Sequence, residues 1–315
     1  MNEIEIIRDN NLIDPAMHIW GWEIPVYLFL GGLTAGIMIL TPLLWGRTAP
    51  EERTRWARWL PFAAPVLISL GMVALFLDLA YKAHVYRFYL AFRPASPMSW
   101  GSWLLLGIYP ASVLLGLLGL KDEEADKLSN WGPLGATGLG KLITWARRVA
   151  QAWERPLLAA NVALGVGLGG YTGLLLGTLS ARPAWGSTVL GPLFLISGVS
   201  TGAALMMLFP LSHKEHKLLR GWDLAAIVVE LGLLATFIMG LLTGGDAGRK
   251  AAMLFLGGEY TALFWALVVM AGLAVPLALE LVEGAKKLSA TRLAPALLLI
   301  GGLSLRWIIV AAGQA

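Results

Sequence analysis

In this 315-residue protein, few residues could do chemistry in an apolar setting. Glu23 stands four residues before Tyr27, so the carboxylate and the phenol share one helical face. His18 precedes them, Asp78 ends a long apolar run, Tyr171 lies toward the end of another, Glu230 lies within a third, and Arg306 falls in the second half of the last. Ionisable groups inside a bilayer cost roughly 2.5–3.5 kcal/mol on insertion scales and are candidates for function. Phenols donate to carbonyl oxygens, and carboxylates take up and release protons. Such a set at a membrane edge suits proton-coupled handling of a lipid-soluble molecule. Each residue also has a plainer reading. Glu23 and Asp78 could reach interfacial water, and Tyr27 and Tyr171 could be belt aromatics. Arg306 could pair with Asp78 or Glu23 to neutralise it. Glu230 could be a helix–helix contact or a proton stop on a path to the inner side, and His18 could be a surface residue.

Other chemistries have no residues to support them. Cysteine is absent, which removes disulfides, thiolate nucleophiles and Fe–S ligation by this protein. The histidines are His18, His84, His213 and His216, all expected near the membrane edges, so axial ligands for a transmembrane dihaem are missing. Walker, nucleophile-elbow and zinc spacings are also missing. A basic stripe with interleaved aromatics is not found outside the loops, so nucleic-acid binding is not expected.

The composition says what must position these residues. Hydrophobic residues make up 57% of the sequence and charged residues 14%, against roughly 25% charged in soluble domains; mean hydropathy is +0.69. Eight apolar segments, at about 24–45, 60–81, 100–120, 156–179, 189–211, 222–243, 260–283 and 292–312, are long enough for a ~30 Å hydrocarbon core. In lipid they must be helices, because their backbone groups have to be satisfied internally. The expected fold is therefore all-α and integral to the membrane. Residues Met1 to Trp20 are polar and acidic, unlike a cleavable signal, so the first span is expected to be retained. Of the 24 Lys and Arg, sixteen fall around 46–59, 121–155, 212–221 and 284–292. That bias predicts those loops inside and both termini outside, in the cell's inner (cytoplasmic) membrane.

The expected organisation is one membrane domain: an outer segment 1–23, helices over 24–120, an inner loop 121–155, and helices over 156–315. Within the loop, Leu142, Trp145, Val149 and Trp153 recur at three to four residues. This reads as an amphipathic helix in the interface or a connecting helix packed on protein. Gly32-Leu-Thr-Ala-Gly36 and Gly198-Val-Ser-Thr-Gly202 are small-xxx-small stretches that allow close helix approach, and they hint at duplicated halves.

The run Trp20-Gly-Trp-Glu-Ile-Pro-Val-Tyr-Leu-Phe-Leu-Gly-Gly-Leu-Thr-Ala-Gly36 resembles the first helix of the NrfD/polysulfide reductase membrane-subunit (PsrC-like) family. Further similar pieces follow in order: Arg93-Pro-Ala-Ser-Pro-Met-Ser-Trp-Gly-Ser-Trp103, Tyr171-Thr-Gly173 with Ser180-Ala-Arg-Pro-Ala-Trp185, Pro192 through Gly202, and Gly301-Gly-Leu-Ser-Leu-Arg306 with Ala312-Gly-Gln314. The resemblance implies eight helices in two four-helix bundles, with a menaquinone or ubiquinone site near the outer face. It implies an Fe–S subunit docked there, often joined to a molybdopterin catalytic subunit. Tyr27 and Tyr171 match quinone-site positions, although one branch has His where Tyr27 stands; Asp78 and Arg306 match polar positions. With neither haem nor cysteine, the electron-carrying partner must come close to the quinone head. The outer loops 82–99, 180–188 and 244–259 are its expected docking surface. On this reading the protein is the quinol-oxidising or quinone-reducing subunit of a respiratory oxidoreductase. Tyr27 and Tyr171 hold the head, Glu23 and Asp78 exchange its protons, Arg306 tunes the carboxylates, His18 is a proton exit, and Glu230 belongs to an inner half-channel. The rival readings are a transporter subunit and a structural anchor without a quinone site.

Overall fold

The computed structural model describes residues 20–79, 81–90, 92–130, 139–179, 181–286 and 291–315. Eight helices are long and apolar enough to span a bilayer: α1 Glu23–Trp45, α2 Arg55–Asp78, α3 Pro97–Gly119, α4 Glu154–Gly177, α5 Leu190–Met207, α6 His213–Thr243, α7 Thr261–Ala285 and α8 Leu293–Ala312. Shorter helices Asp122–Ser129, Leu139–Ala152 and Gly245–Leu256 fill the connections. Outward-facing Val66, Leu70, Val73, Val228, Met239, Met270 and Ile300 are exposed. So much uncovered apolar surface is stable only against lipid.

Two boundaries differ from the apolar pattern for a physical reason. α6 begins at His213, well before 222, because Ser212 and Glu215 form a capping box. The Ser212 hydroxyl accepts from the Glu215 N–H at 3.3 Å and the Glu215 carboxylate accepts from the Ser212 N–H at 2.8 Å. The other Glu215 oxygen accepts from the Thr54 N–H at 3.0 Å, tying the start of α6 to the start of α2. α2 likewise begins at Arg55, capped by the Thr54 hydroxyl, and passes through a 3-10 turn at Leu60–Phe62 before continuing from Ala63. Capped polar turns thus extend both helices beyond their apolar runs. In α7 the stretch Phe264–Ala274 is a π-helix, followed by Pro276, which has no N–H to give the preceding turn.

α1 is the axis of the assembly. It packs against α2 and α4 of the first half and α5 and α8 of the second. The two small-xxx-small stretches meet each other where α1 crosses α5. A Cβ on Gly36 would collide with the Gly198 carbonyl oxygen, and one on Gly202 would lie 2.6 Å from the Gly36 Cα. α7 and α8 repeat the device, with a Cβ on Gly272 falling 2.6 Å from the Gly301 Cα. At the α1 N-terminal end, the Gln314 side chain donates to the Trp20 carbonyl at 3.0 Å and accepts from its N–H at 2.8 Å. Trp185 stacks on Trp20 at 4.9 Å and donates to the Ile309 carbonyl at 2.9 Å. The first described residue, the α4–α5 connection and the C-terminus therefore share one end.

Gly36→Val is expected to abolish the folded protein in detergent, because its branched side chain must displace backbone at the α1–α5 crossing. Gly232→Ala, whose Cβ meets nothing within 4 Å, is expected to leave monodispersity and the thermal midpoint unchanged. Size-exclusion and thermal unfolding measure both.

Candidate functional site

At the α1 N-terminal end a pocket opens between α1, α2, α3, α4 and the segment 81–90. It holds about 700 Å³ of empty space, part of it open to the surroundings. Tyr27 from α1 and Tyr171 from α4 both line it, with Met72, Phe76, Phe88 and Met98 among the apolar walls. Both tyrosines are buried, at 4% and 6% exposure. Gly101 makes room for the second, since a Cβ there would overlap the Tyr171 hydroxyl. The 81–90 wall is pinned to α3 by the Ser102 hydroxyl, which donates to the Phe88 carbonyl at 2.8 Å. A third phenol, Tyr89, also lines the pocket. Burial raises its pKa above the ordinary value, so it keeps its proton and can donate a hydrogen bond. The size and apolar walls, with a few phenols converging, suit a flat, lipid-soluble molecule bearing carbonyls.

Glu23 and Asp78 stand beside this pocket rather than in its lining. Glu23 is one turn from Tyr27 on α1, and Asp78 follows Leu75 and Phe76 of the wall. Asp78 is close enough to Glu23 for the two carboxylates to interact electrostatically. His18 lies outside the described residues.

Arg306 is placed elsewhere. It is fully buried at 0% exposure, behind α1. Its guanidinium donates to the carbonyls of Leu28 at 3.3 Å, Gly302 at 2.7 Å and Phe194 at 3.3 Å, and to the Ser197 hydroxyl at 3.1 Å. Phe194 also stacks under it, 5.3 Å to the ring centre. The carboxylate whose charge acts on Arg306 is Glu230, so its carboxylate partner is neither Asp78 nor Glu23. Ser197 lies between them, within reach of both. Gly32 makes the room, since a Cβ there would lie 2.7 Å from the Arg306 Nη2.

The series of polar groups continues toward the opposite end. Asp223, two turns before Glu230 on α6, accepts from the Ser200 hydroxyl at 2.7 Å. Glu280 of α7 faces it, close enough for the two to be electrostatically coupled. The second Asp223 oxygen and both Glu280 oxygens are buried, and the two carboxyl groups face each other within reach of a shared hydrogen bond. Glu283, one turn on, accepts from the Thr291 N–H at 2.9 Å and hydroxyl at 2.6 Å. Sequence reasoning took Glu230 alone from this series. Asp223 sat beside the expected start of its helix at 222, and Glu280 near the expected end of its own at 283. Their i, i+7 and cross-helix relations appear once α6 is seen to start at His213. Tyr89 was missed because it lies in a segment read as a docking loop.

Comparison with known proteins decides the family. The family model described as "Polysulphide reductase, NrfD" matches residues 10–315. The protein belongs to the NrfD family. Among its relatives, a polysulfide reductase polypeptide of Wolinella succinogenes is 32% identical, over 94% of both sequences. Protein NrfD of Escherichia coli is 30% identical, over 94% of this sequence and 95% of its own length. A selenate reductase subunit of Mesobacillus selenatarsenatis is 24% identical, over 92% and 73%. With eight apolar helices, this NrfD-family member is a multi-pass membrane protein.

Removing the buried Arg306 charge leaves Glu230, the carboxylate whose charge acts on it, without that compensation, and leaves the carbonyls of Leu28, Phe194 and Gly302 without their donor. Arg306→Leu is therefore expected to lower the unfolding midpoint sharply, and Arg306→Leu with Glu230→Leu to recover part of the loss. Thermal unfolding of the three proteins in one detergent measures the coupling.

Proposed function

We propose that this NrfD-family protein is the quinone-reactive membrane subunit of a multi-subunit oxidoreductase. The observation that carries the reading is the apolar pocket onto which two helices, distant in sequence, bring Tyr27 and Tyr171. A quinol bound there supplies two electrons and two protons. The phenols of Tyr27 and Tyr171, joined by Tyr89, would donate hydrogen bonds to the head-group oxygens. Glu23 and Asp78, at the pocket's edge, would pass protons to and from the aqueous side. The Lys and Arg distribution supports an outer location for this end, in the inner membrane, with both termini outside. An Fe–S subunit would dock on the loops around the pocket, joined to a molybdopterin catalytic subunit, as the reductase names of the relatives suggest. Arg306 and Glu230 would act on the pocket from behind α1. The transporter reading is less well supported. Paired interrupted helices mark that class, whereas α3 continues as α-helix through Pro110 while α7 carries a π stretch.

The series Glu230–Asp223–Glu280 supports a further role as an inner half-channel. Two buried carboxyl groups that face each other can share a proton, and intramembrane carboxylate series serve as relays.

In the purified complex, Tyr171→Phe and Tyr27→Phe are expected to slow quinol turnover about tenfold or more, the worth of one hydrogen bond of ~1.5 kcal/mol, and Asp78→Asn about a hundredfold. Unchanged turnover in all three, with no quenching by a quinone analogue, would sink the reading. In proteoliposomes, Asp223→Asn with Glu280→Gln is expected to remove proton uptake from the inner side while quinol turnover persists. Uptake equal to wild type, read by a trapped pH dye, would remove the half-channel.

A further inference from the structure

At the end of the bundle opposite the tyrosine pocket, an open cleft lies between the start of α2 and the helix Asp122–Ser129, with about 1030 Å³ of empty space, part of it open solvent. Arg55, Lys121 and Lys127 line it together with Trp59 and Leu128. Arg58, also on its wall, is already engaged. It is bidentate to Glu124 at 2.9 and 3.1 Å and donates to the Arg53 carbonyl at 2.6 Å. Burial alone would raise the Glu124 carboxyl, but hydrogen bonds from Arg58, the Lys121 N–H and Trp59 hold it at about 2. Glu124 is therefore a fixed anion committed to Arg58. Arg55, Lys121 and Lys127 are exposed, and none forms an ion pair among the described residues. Against them the cleft sets one further acid, Glu123. The Arg55 guanidinium lies over the Trp59 ring, 5.9 Å from its centre, so the cleft sets three cations without an ion-pair partner among the described residues against one such anion.

We infer that this cleft holds the phosphate of an anionic phospholipid headgroup. Its place in the bilayer favours a lipid over a soluble anion. Arg55 begins a membrane span, and the indoles of Trp56 and, on the neighbouring amphipathic helix Leu139–Ala152, Trp145 are exposed, as interfacial aromatics are. From Trp59, the residues Phe62, Val66 and Leu70 follow at spacings of three to four along α2, and Val66 and Leu70 are exposed. A headgroup among the three cations would therefore have its acyl tails beside an uncovered apolar stripe. Basic pockets between spans recognise lipid phosphates in this way.

The test uses the full-length protein purified in mild detergent, delipidated, and returned to nanodiscs of phosphatidylglycerol or phosphatidylcholine. Native mass spectrometry and the thermal midpoint are the readouts. Phosphatidylglycerol is expected to be retained and to raise the midpoint, while phosphatidylcholine and millimolar inorganic phosphate do neither. Lys127→Gln is expected to weaken retention about fivefold, and Arg55→Gln with Lys121→Gln and Lys127→Gln more strongly, at about fivefold per cation. Arg182→Gln with Lys250→Gln, a change of two cations at the opposite end, is expected to retain the lipid as wild type does. Since single Lys127→Gln changes only an exposed side chain, it gives a result even where the triple variant misfolds. Equal effects of the two lipids, reproduction by inorganic phosphate alone, or full retention by Lys127→Gln would each overturn the inference.

Discussion

The backbone contact between α1 and α5 is the constraint on which the rest of the molecule depends. Gly36, Gly198 and Gly202 let the two helices touch without side chains between them. In lipid no hydrophobic force draws helices together, so association rests on packing of this kind. The contact puts α1 in the middle of the protein, where it faces α2 and α4 on one side and α5 and α8 on the other. The tyrosine pocket and the Arg306 site are then arranged around α1. Tyr27 projects into the pocket shared with α4, and the Leu28 carbonyl, one residue on, accepts from Arg306 of α8.

This arrangement brings two polar systems close without merging them. The tyrosine pocket is apolar apart from its hydroxyls, which favours a neutral ring system over an ion. The Arg306–Glu230 system lies on the other side of α1, buried, with each guanidinium nitrogen hydrogen-bonded. A desolvated charge is tolerable when it is hydrogen-bonded in this way. Asp223 and Glu280 are different, since two buried acids face each other with no ion pair to either among the described residues. Two acids side by side in a buried place are costly in low dielectric. The π stretch of α7 ends six residues before Glu280, and irregular helix of this kind is frequent at functional sites.

The two ends of the bundle are built by different means. The end bearing the tyrosine pocket is closed by indoles and by Gln314, which grips both backbone groups of Trp20. The other is closed by charge. Glu215 caps α6 and reaches the start of α2, and Glu124 holds Arg58. Indole packing thus holds one end, and ion pairs and charged hydrogen bonds hold the other.

Sequence by itself determined the number of spans, their alternation and the family, because span length and apolarity are local properties that lipid enforces on each segment separately. It also supplied both tyrosines and both glycine stretches. It could not say that the two glycine stretches meet each other, since each is equally able to pack on any helix. Nor could it choose the carboxylate partner of Arg306. Outer-half position pointed to Asp78 or Glu23, while the rotation of α8 about its axis turned the guanidinium to Ser197 and Glu230. Asp223 stood at the edge of its expected span because hydropathy marks where apolar residues stop, whereas a capped polar turn carries α6 further. Which side chains share a cavity depends on helix rotation and crossing, and those are fixed only when all eight helices pack together.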